Sequence, residues 1–196
     1  MSEKTLTGRV SEIIDRVACR EKIIKIAHFK SIAQTIAQSV LGKNNQAIDE
    51  ILLEKTMTWG WNILEHKGED CRISFEDGIS DIEKNITLVV RMSDLPFIVD
   101  TVTITISRFN IPVINFYNIA EIAVSRDAEG YLAPYPTNEQ GEKKECIIFF
   151  EIEAISESEK ESLSKALRSV LKNVIAAVDD WKKMQDLMME VVDTWQ

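Results

Sequence analysis

Apolar residues recur every three or four positions through the first third of the chain, which is the spacing that places them on one face of an α-helix. Two such runs precede Gly42, where a helix is expected to end because a glycine commonly terminates one. A third run follows Asn45, which is able to cap it, and fades near residues 66–68. The sequence therefore predicts an N-terminal helical segment over residues 1–69. The apolar positions of the first two runs are Val10, Ile13, Ile14 and Val17, then Phe29, Ile32, Ala33, Ile36, Ala37, Val40 and Leu41.

From residue 70 onward the pattern changes to short apolar stretches with alternation, which is typical of β-strands. In Asn85–Met92 the side chains of Ile86, Leu88 and Val90 are expected on one face and those of Thr87 and Val89 on the other. Further strands are predicted over 71–75, 113–127 and 146–154. The segment 131–135 is a candidate return strand, which Pro134 would confine to an edge.

The segment Asp94–Asn110 is rich in Val, Thr and Ile, which favour strands, yet it is predicted to be a helix. Asp94 is expected to cap the first turn, and Pro96 fits a turn that needs no N–H group there. The loss of helix propensity is only tenths of a kcal/mol per residue, whereas burying one large apolar side chain contributes about 1.5–3 kcal/mol. The expected apolar stripe is Ile98, Val102, Thr105 and Phe109, with Phe97, Thr101 and Ile104 beside it.

A long helix is predicted after Ser156, because Ser156 and Glu159 have the spacing of a capping box. Its apolar periodicity continues to Trp195. Residues 181–196 are therefore expected to be the helical start of a linker that contacts downstream domains of a longer chain. The alternative is a helix that docks on its own core or on a dimer partner.

Together these elements predict an α+β fold over residues 70–180. The expected architecture is a ferredoxin-like, ACT-like βαββα(β) unit, in which an antiparallel sheet carries helices on one face. The N-terminal helical segment precedes it. In this arrangement the first strand of the unit leads into its helix through the Ser93–Pro96 turn.

Charge and composition exclude several functions. A net charge of −9 disfavours nucleic-acid binding, which needs clustered Lys and Arg. The Lys143–Lys144 pair is flanked by Glu142 and Glu145, and the Glu-rich stretch from Glu151 to Glu161 is interpreted as a solvated face. No apolar run is long enough to span a membrane, and the first residues do not form a secretory signal. A cytoplasmic location is expected.

No residue pattern indicates catalysis or metal binding. The three cysteines are far apart and are expected to be reduced, and His28 and His66 are too few for a zinc site. His28 is interpreted as a packing residue. Asp94 and Asp100 are six residues apart and are not expected to face each other as an acid/base pair. The chain has no G-x-G-x-x-G motif, so neither a cofactor nor a metal is predicted here.

Three blocks in order carry a resemblance to a known family: "MSDLPFIVDTVTITISRFNIPVINFYN", "SRDAEGYL", and the segment from "ECIIFFEIEA" to "DDWKKM". The first contains a turn similar to the Asp-x-Pro-Gly signature of ACT regulatory modules. Over roughly residues 70–190 the chain resembles the N-terminal portion of the large bacterial NAD-specific glutamate dehydrogenases. Two departures are visible: Phe97 replaces the usual Gly, and the segment after the helix lacks the family's His.

This resemblance implies a non-catalytic regulatory and assembly segment of an enzyme that deaminates L-glutamate to 2-oxoglutarate with NAD. An amino-acid effector would bind at Asp94, Leu95, Pro96 and Phe97, where a helix N-terminus suits a carboxylate. Phe97 would hinder the close approach that Gly allows, and its ring would plug the site or pack at a module interface.

Partners are expected to be downstream domains of the same chain and a second copy in a homo-oligomer. Aromatic side chains on a half-exposed strand suit such contacts. The candidate interface residues are Phe116, Tyr117, Asn118 and Trp195, although core packing explains them equally well. Two alternative functions are a stand-alone amino-acid-sensing ACT protein and a dimerisation module without a ligand.

Overall fold

The structure, a computed structural model, describes residues 3–42, 49–66, 70–78, 85–133 and 143–194. These residues form five helices and four strands, and the α+β class predicted above is confirmed. The helices are α1 (Glu3–Arg20), α2 (Ile26–Leu41), α3 (Glu50–Glu65), α4 (Ile98–Arg108) and α5 (Glu157–Thr194); the strands are β1 (Cys71–Asp77), β2 (Asn85–Ser93), β3 (Val113–Val124) and β4 (Lys143–Glu153).

The four strands form one antiparallel sheet in the order β1-β2-β4-β3. β4 lies between β2 and β3 and is antiparallel to both, so β2 and β3 run in the same direction. The order β2-α4-β3-β4-α5 is therefore the predicted βαββα unit. Its outer strand beside β2 is β1, which precedes the unit in the sequence.

The two central strands have buried side chains on both faces of the sheet. In β2 the buried side chains of Leu88 and Val90 alternate with those of Val89 and Arg91. β4 repeats this arrangement with the continuous buried run from Cys146 to Phe150. Strands of this kind have near-continuous apolar sequences because neither face meets water.

The chain divides into two compact units: Met1–Asp94 with Pro112–Ile155, and Leu95–Ile111 with Ser156–Gln196. The first unit contains α1–α3 and the whole sheet. Its core joins apolar residues of the three helices to those on one sheet face, such as Val89, Ile147 and Phe149. Phe29 of α2 meets Trp61 of α3 edge to face, with the ring centroids 5.4 Å apart.

The first turn of α3 corrects the prediction that Asn45 caps this helix. α3 begins at Glu50, and the Asp49 carboxylate accepts the Leu52 N–H at 3.0 Å. Asn45 lies outside the described residues. The periodicity located the helix correctly, but it could not decide between two nearby residues that both make good caps.

The second unit confirms that the strand-like segment before residue 110 is a helix, α4. Its Thr hydroxyls donate to backbone carbonyls one turn earlier: Thr103 to Val99 at 2.8 Å and Thr105 to Thr101 at 2.7 Å. These bonds satisfy polar groups that would otherwise disfavour burial. The buried side chains are Ile98, Val102, Thr105 and Ile106, so Ile106 replaces Phe109 in the predicted stripe, and Ile104 is exposed.

α5 begins as predicted. The Ser156 hydroxyl donates to the Glu159 carboxylate at 2.6 Å, and that carboxylate also accepts the Ser156 N–H at 2.8 Å. Within this unit α4 packs against α5. Leu163, Leu167, Leu171 and Val178 of α5 are buried, whereas Trp181, which continues the apolar period, is 57% exposed.

In its described part the segment 131–135 pairs back as predicted, but through one bridge instead of a full strand: the Tyr131 carbonyl accepts the Asp127 N–H and the Ala133 N–H donates to the Ser125 carbonyl, both at 2.9 Å. Leu132 makes a single bridge with Arg126, and the last two residues of the segment, Pro134 and Tyr135, lie outside the described ranges. Over the described residues, none of the helices combines the length and apolar character needed to cross a lipid bilayer.

Two glycines in helices test the packing of the first unit. A Cβ on Gly60 of α3 would come within 2.7 Å of the Ile36 side chain, whereas one on Gly8 of α1 would meet open space. We expect Gly60→Val to lower the free energy of unfolding by about 1–3 kcal/mol, because the added groups overfill the core.

Gly8→Ala is the control, and it should raise the free energy of unfolding by up to about 1 kcal/mol, because alanine favours a helix. Urea unfolding followed by circular dichroism measures both variants. A Gly60→Val protein as stable as the wild type would contradict the close packing of α3 against α2.

Candidate functional site

The turn between β2 and α4 contains the four residues predicted to bind an effector. Asp94 does not cap α4, which corrects the sequence-based prediction. Its N–H donates to the Lys144 carbonyl at 2.9 Å, and its carboxylate accepts the Glu121 N–H at 2.9 Å. Glu121 has a positive φ of 55° at an irregularity in β3. Asp94 lies four residues before the first residue of α4, and its carboxylate bonds to strand β3 instead of to the helix.

Phe97 is the residue immediately before α4. It has a left-handed backbone with φ 69°, and its side chain makes no capping hydrogen bond. A left-handed residue is usually Gly, so the backbone geometry explains why Gly is usual at this position in the family it resembles. Pro96 lies in the turn outside the helix, which corrects its predicted place in the first helical turn.

The Phe97 ring is 70% exposed within this chain, so most of its surface is available for the predicted contact at a module interface, and a role in plugging a site stays a prediction. Leu95 is half-buried and Pro96 is exposed. A helix N-terminus without a side-chain cap presents N–H groups and a partial positive charge, which favour a carboxylate ligand. Asp100 in the first turn already supplies some negative charge there.

The aromatic residues of β3 lie at an open edge of the sheet. Phe116 is 48% exposed and stacks on Phe150 with the ring centroids 5.8 Å apart. Asn118 shares that face of the strand and is exposed, whereas Tyr117 points to the other face and is half-buried. Burial raises the pKa of the Tyr117 phenol. Trp195, the fourth predicted interface residue, lies outside the described residues.

The most extensive polar cluster of the sheet was not predicted. Arg126 donates two hydrogen bonds to the Glu145 carboxylate, from Nε at 2.8 Å and from Nη2 at 2.9 Å. Arg91 lies 3.5 Å from the same carboxylate, and its side chain is 1% exposed. Burial lowers the pKa of Arg91, and the Glu145 charge opposes that effect. One buried carboxylate therefore lies between two guanidinium groups.

Arg126 also connects distant parts of the first unit. It donates to the carbonyls of Leu64 at 3.3 Å and His66 at 3.1 Å at the end of α3. A third carbonyl, that of Gly130, accepts at 3.2 Å. A cation is favourable at a helix C-terminus, where carbonyls lack helical partners.

The block "SRDAEGYL" (residues 125–132) folds as a loop that surrounds the side chain of its own residue Arg126, and this loop with Ala133 is called the Arg126 clasp. The Asp127 carboxylate accepts the Tyr131 N–H at 2.8 Å, and Gly130 has φ 88°. Two residues of the α1–α2 region bond the end of the clasp: Lys25 donates to the Leu132 carbonyl at 2.6 Å, and His28 Nδ1 lies 3.1 Å from the Ala133 carbonyl oxygen. The resemblance identified this block from its letters, and the structure gives it a structural role.

The sequence held one signal for this cluster. Arg91 is a charged residue inside an apolar strand, which requires a partner when both faces are covered. Glu145 was interpreted only as a flank of Lys144, and Glu151 as part of a solvated face. The structure corrects both interpretations, since Glu145 is 5% and Glu151 7% exposed.

The thiols and carboxylates give no metal site. Among the residues that the structure describes, no group of three or more His, Cys, Asp or Glu side chains is placed to hold a metal ion. All three cysteines lie in the described ranges, and none forms a disulfide. Burial raises the pKa of the Cys146 thiol to about 12, so this thiol stays protonated at neutral pH. His28 is 1% exposed and packs in the core, as predicted.

Comparison with known families finds one match. Residues 74–167 match the model of a family described as the glutamate dehydrogenase ACT1 domain. The matched region runs from the middle of β1 into the first third of α5, so it contains the whole sequence from β2 to β4. The predicted resemblance to the ACT-like region of a glutamate dehydrogenase is confirmed over these residues. Neither a curated protein nor a solved structure matches the chain significantly.

The buried cluster predicts a large effect of one substitution. Glu145→Gln should lower the free energy of unfolding by about 3–5 kcal/mol, because Arg126 would lose the charged acceptor of two hydrogen bonds and Arg91 the carboxylate that lies 3.5 Å away. The neighbouring Lys144 pairs with Glu121 at 3.2 Å on the surface, with side chains 59% and 71% exposed. Lys144→Gln is therefore the control and should cost less than about 1 kcal/mol.

Chemical unfolding at pH 7 compares the two variants. A Glu145→Gln protein that loses no more stability than Lys144→Gln would contradict the assignment of Glu145 as the shared partner. Arg126 bonds both Glu145 and the carbonyls at the end of α3, so Glu145→Gln should also loosen that helix end. Faster hydrogen exchange of the backbone amides at residues 61–66 would measure this loosening.

Proposed function

We propose that this chain, whose residues 74–167 match the model of the glutamate dehydrogenase ACT1 domain, is the N-terminal regulatory and assembly segment of a large NAD-dependent glutamate dehydrogenase. The parent enzyme would deaminate L-glutamate oxidatively to 2-oxoglutarate, with NAD as the hydride acceptor. The segment itself would be non-catalytic, and a cytoplasmic location would follow from that of the enzyme.

The match of the family to the βαββα unit is the single observation that carries this proposal. The polar groups that the fold brings together support a structural rather than a chemical role. Glu145 is bonded by Arg126 and lies beside Arg91, and Arg126 also bonds backbone carbonyls. These groups are buried within a core, where a substrate would have to displace packed side chains to reach them.

The proposal includes an amino-acid effector that binds at the start of α4. Asp94 is engaged with Glu121, so the ligand would contact Leu95, Pro96 and Phe97 rather than the Asp94 carboxylate. The left-handed Phe97 leaves the first turn without a side-chain cap, and its ring is directed mostly into solvent. The carboxylate of the effector would accept hydrogen bonds from that turn.

Assembly is the second part of the proposed role. β3 is an edge strand of twelve residues with an exposed Phe116. A long edge strand with unpaired backbone groups is suited to pairing with another chain. We assign this edge, with Phe116, Tyr117 and Asn118, to contacts between copies or with downstream domains.

The enzymatic test compares two proteins. The complete polypeptide encoded by the reading frame should reduce NAD in the presence of L-glutamate, and the 196-residue chain alone should not. Absorbance of the reduced nicotinamide measures both reactions. A complete reading frame that encodes no dehydrogenase activity would contradict the proposed parent enzyme, and turnover by the 196-residue chain alone would contradict its non-catalytic role.

The effector test uses isothermal titration of the 196-residue chain with each common L-amino acid at millimolar concentration. At least one should bind, and Phe97→Glu should weaken that binding about tenfold or more, because the new carboxylate competes for the positive end of α4. Tyr131→Glu is the control, since Tyr131 is another half-exposed aromatic residue and lies in the Arg126 clasp.

Equal affinities of the two variants would place the ligand elsewhere. An absence of heat with every amino acid would contradict the effector and leave the enzymatic part of the proposal intact.

A further inference from the structure

The second half of α5 exposes a row of large apolar side chains. Each side chain that the structure describes between Trp181 and Val191 is exposed. Five large apolar side chains lie along or beside one line of the helix, with exposed fractions between 53% and 69%: Trp181, Met184, Leu187, Met188 and Val191. Helices in proteins are stabilised mostly by packing of an apolar face, so this part of α5 requires a partner surface.

The spacing of the row indicates what kind of surface covers it. From Leu167 onward, one line of apolar residues is separated alternately by three and four positions, with the buried Leu171 and Val178 beside it: Leu167, Val170, Val174, Ala177, Trp181, Met184, Met188 and Val191. This is a 3.5-residue repeat, the a and d positions of a heptad, sustained over more than three heptads. A helix lying on a globular core follows the 3.6-residue repeat, and the exact heptad is the pattern of a helix paired with another helix.

The positions beside the seam suit pairing with an identical helix. Val178, Gln185 and Leu187 flank it and carry no charge, so two copies would meet little like-charge repulsion. The one flanking acid, Asp180, lies 3.6 Å from Lys183 of the same helix, so its charge is compensated within one copy. Most of the other charged residues occupy outer positions.

The exposed area is sufficient for a dimer. Five large side chains at these exposures present roughly 100 Å² each, so pairing two copies would bury on the order of 1,000 Å², near the lower limit of specific interfaces. Aromatic and Met side chains are also the types enriched in interface centres, and sulfur atoms contact aromatic rings favourably.

We propose that α5 pairs through its heptad seam, from Trp181 to Val191, with the same helix of a second copy of this chain. The pairing requires no effector and no β3 contact, and it is independent of the proposed enzyme. The seam would continue the apolar stripe that is buried within α5 at Leu167.

Adjacent methionines provide a matched test. Met188 is on the seam and 69% exposed, and Met189 is on the outer face and 65% exposed. The substitutions Met188→Lys and Met189→Lys make the same chemical change at neighbouring sites of similar exposure, so neither should unfold the chain. Sedimentation velocity of the wild type and both variants measures association from about 1 to 100 μM, and reducing agent prevents disulfides at the exposed Cys19.

The wild type should associate in the micromolar range, Met188→Lys should weaken that association at least about tenfold, and Met189→Lys less than about twofold. A monomeric wild type at all concentrations would overturn the proposal, as it would show that another surface covers the seam. Equal effects of the two variants would overturn it as well, because they would indicate general apolar adhesion. Circular dichroism checks that both variants keep their helix content.

Discussion

The central pair of strands, β2 and β4, is constrained by having buried side chains on both faces, and the pairing of the buried Arg91 follows from it. A guanidinium in such a strand cannot reach water, so Arg91 requires a buried counter-charge. Glu145 on β4 supplies it, and Arg126 donates two hydrogen bonds to the same carboxylate. Arg126 then uses its other donors on carbonyls of α3. The burial of charge inside the sheet is thus linked, through Arg126, to the C-terminal end of α3 and to the Arg126 clasp.

The segment from Asp94 to α4 shows how one such constraint shapes a candidate site. Asp94 bonds strand β3, so it cannot cap the helix, and the residue before α4 has to reverse the chain with a positive φ. Gly would meet that requirement without steric cost, whereas Phe97 meets it with its ring in solvent. The result is a helix start whose first turn has no side-chain acceptor, and this feature supports the proposed carboxylate effector.

α5 combines two environments in one continuous helix. Its first half follows the rules of a packed helix, with a capping box and buried leucines. Its second half keeps the apolar period, but the described side chains there are exposed. The proposed regulatory segment would have to connect its proposed effector site with other parts of an assembly. A helix that is buried at one end and exposed along a seam at the other provides such a connection.

The sequence by itself determined the types of the elements and their order. Periodicity located the helices, alternation located the strands, and a packing argument correctly assigned α4 as a helix although its letters favour a strand. The Ser156–Glu159 capping box was also readable, because its two partners are only three residues apart. Signals between residues this close in the sequence can be recognised from the sequence alone. The order βαββα and the family resemblance depended on nothing else.

Only the tertiary structure decided which polar groups meet. Arg91, Arg126 and Glu145 are separated by tens of residues, and their pairing depends on strand order and on which face each side chain occupies. The same reason made Asp94 a partner of Glu121 instead of a cap, and it exposed Trp181 although its period matched that of buried leucines. A hydrophobic period states that a face will be covered. It does not state by what, because the covering surface comes from residues that are distant in the sequence or belong to another molecule.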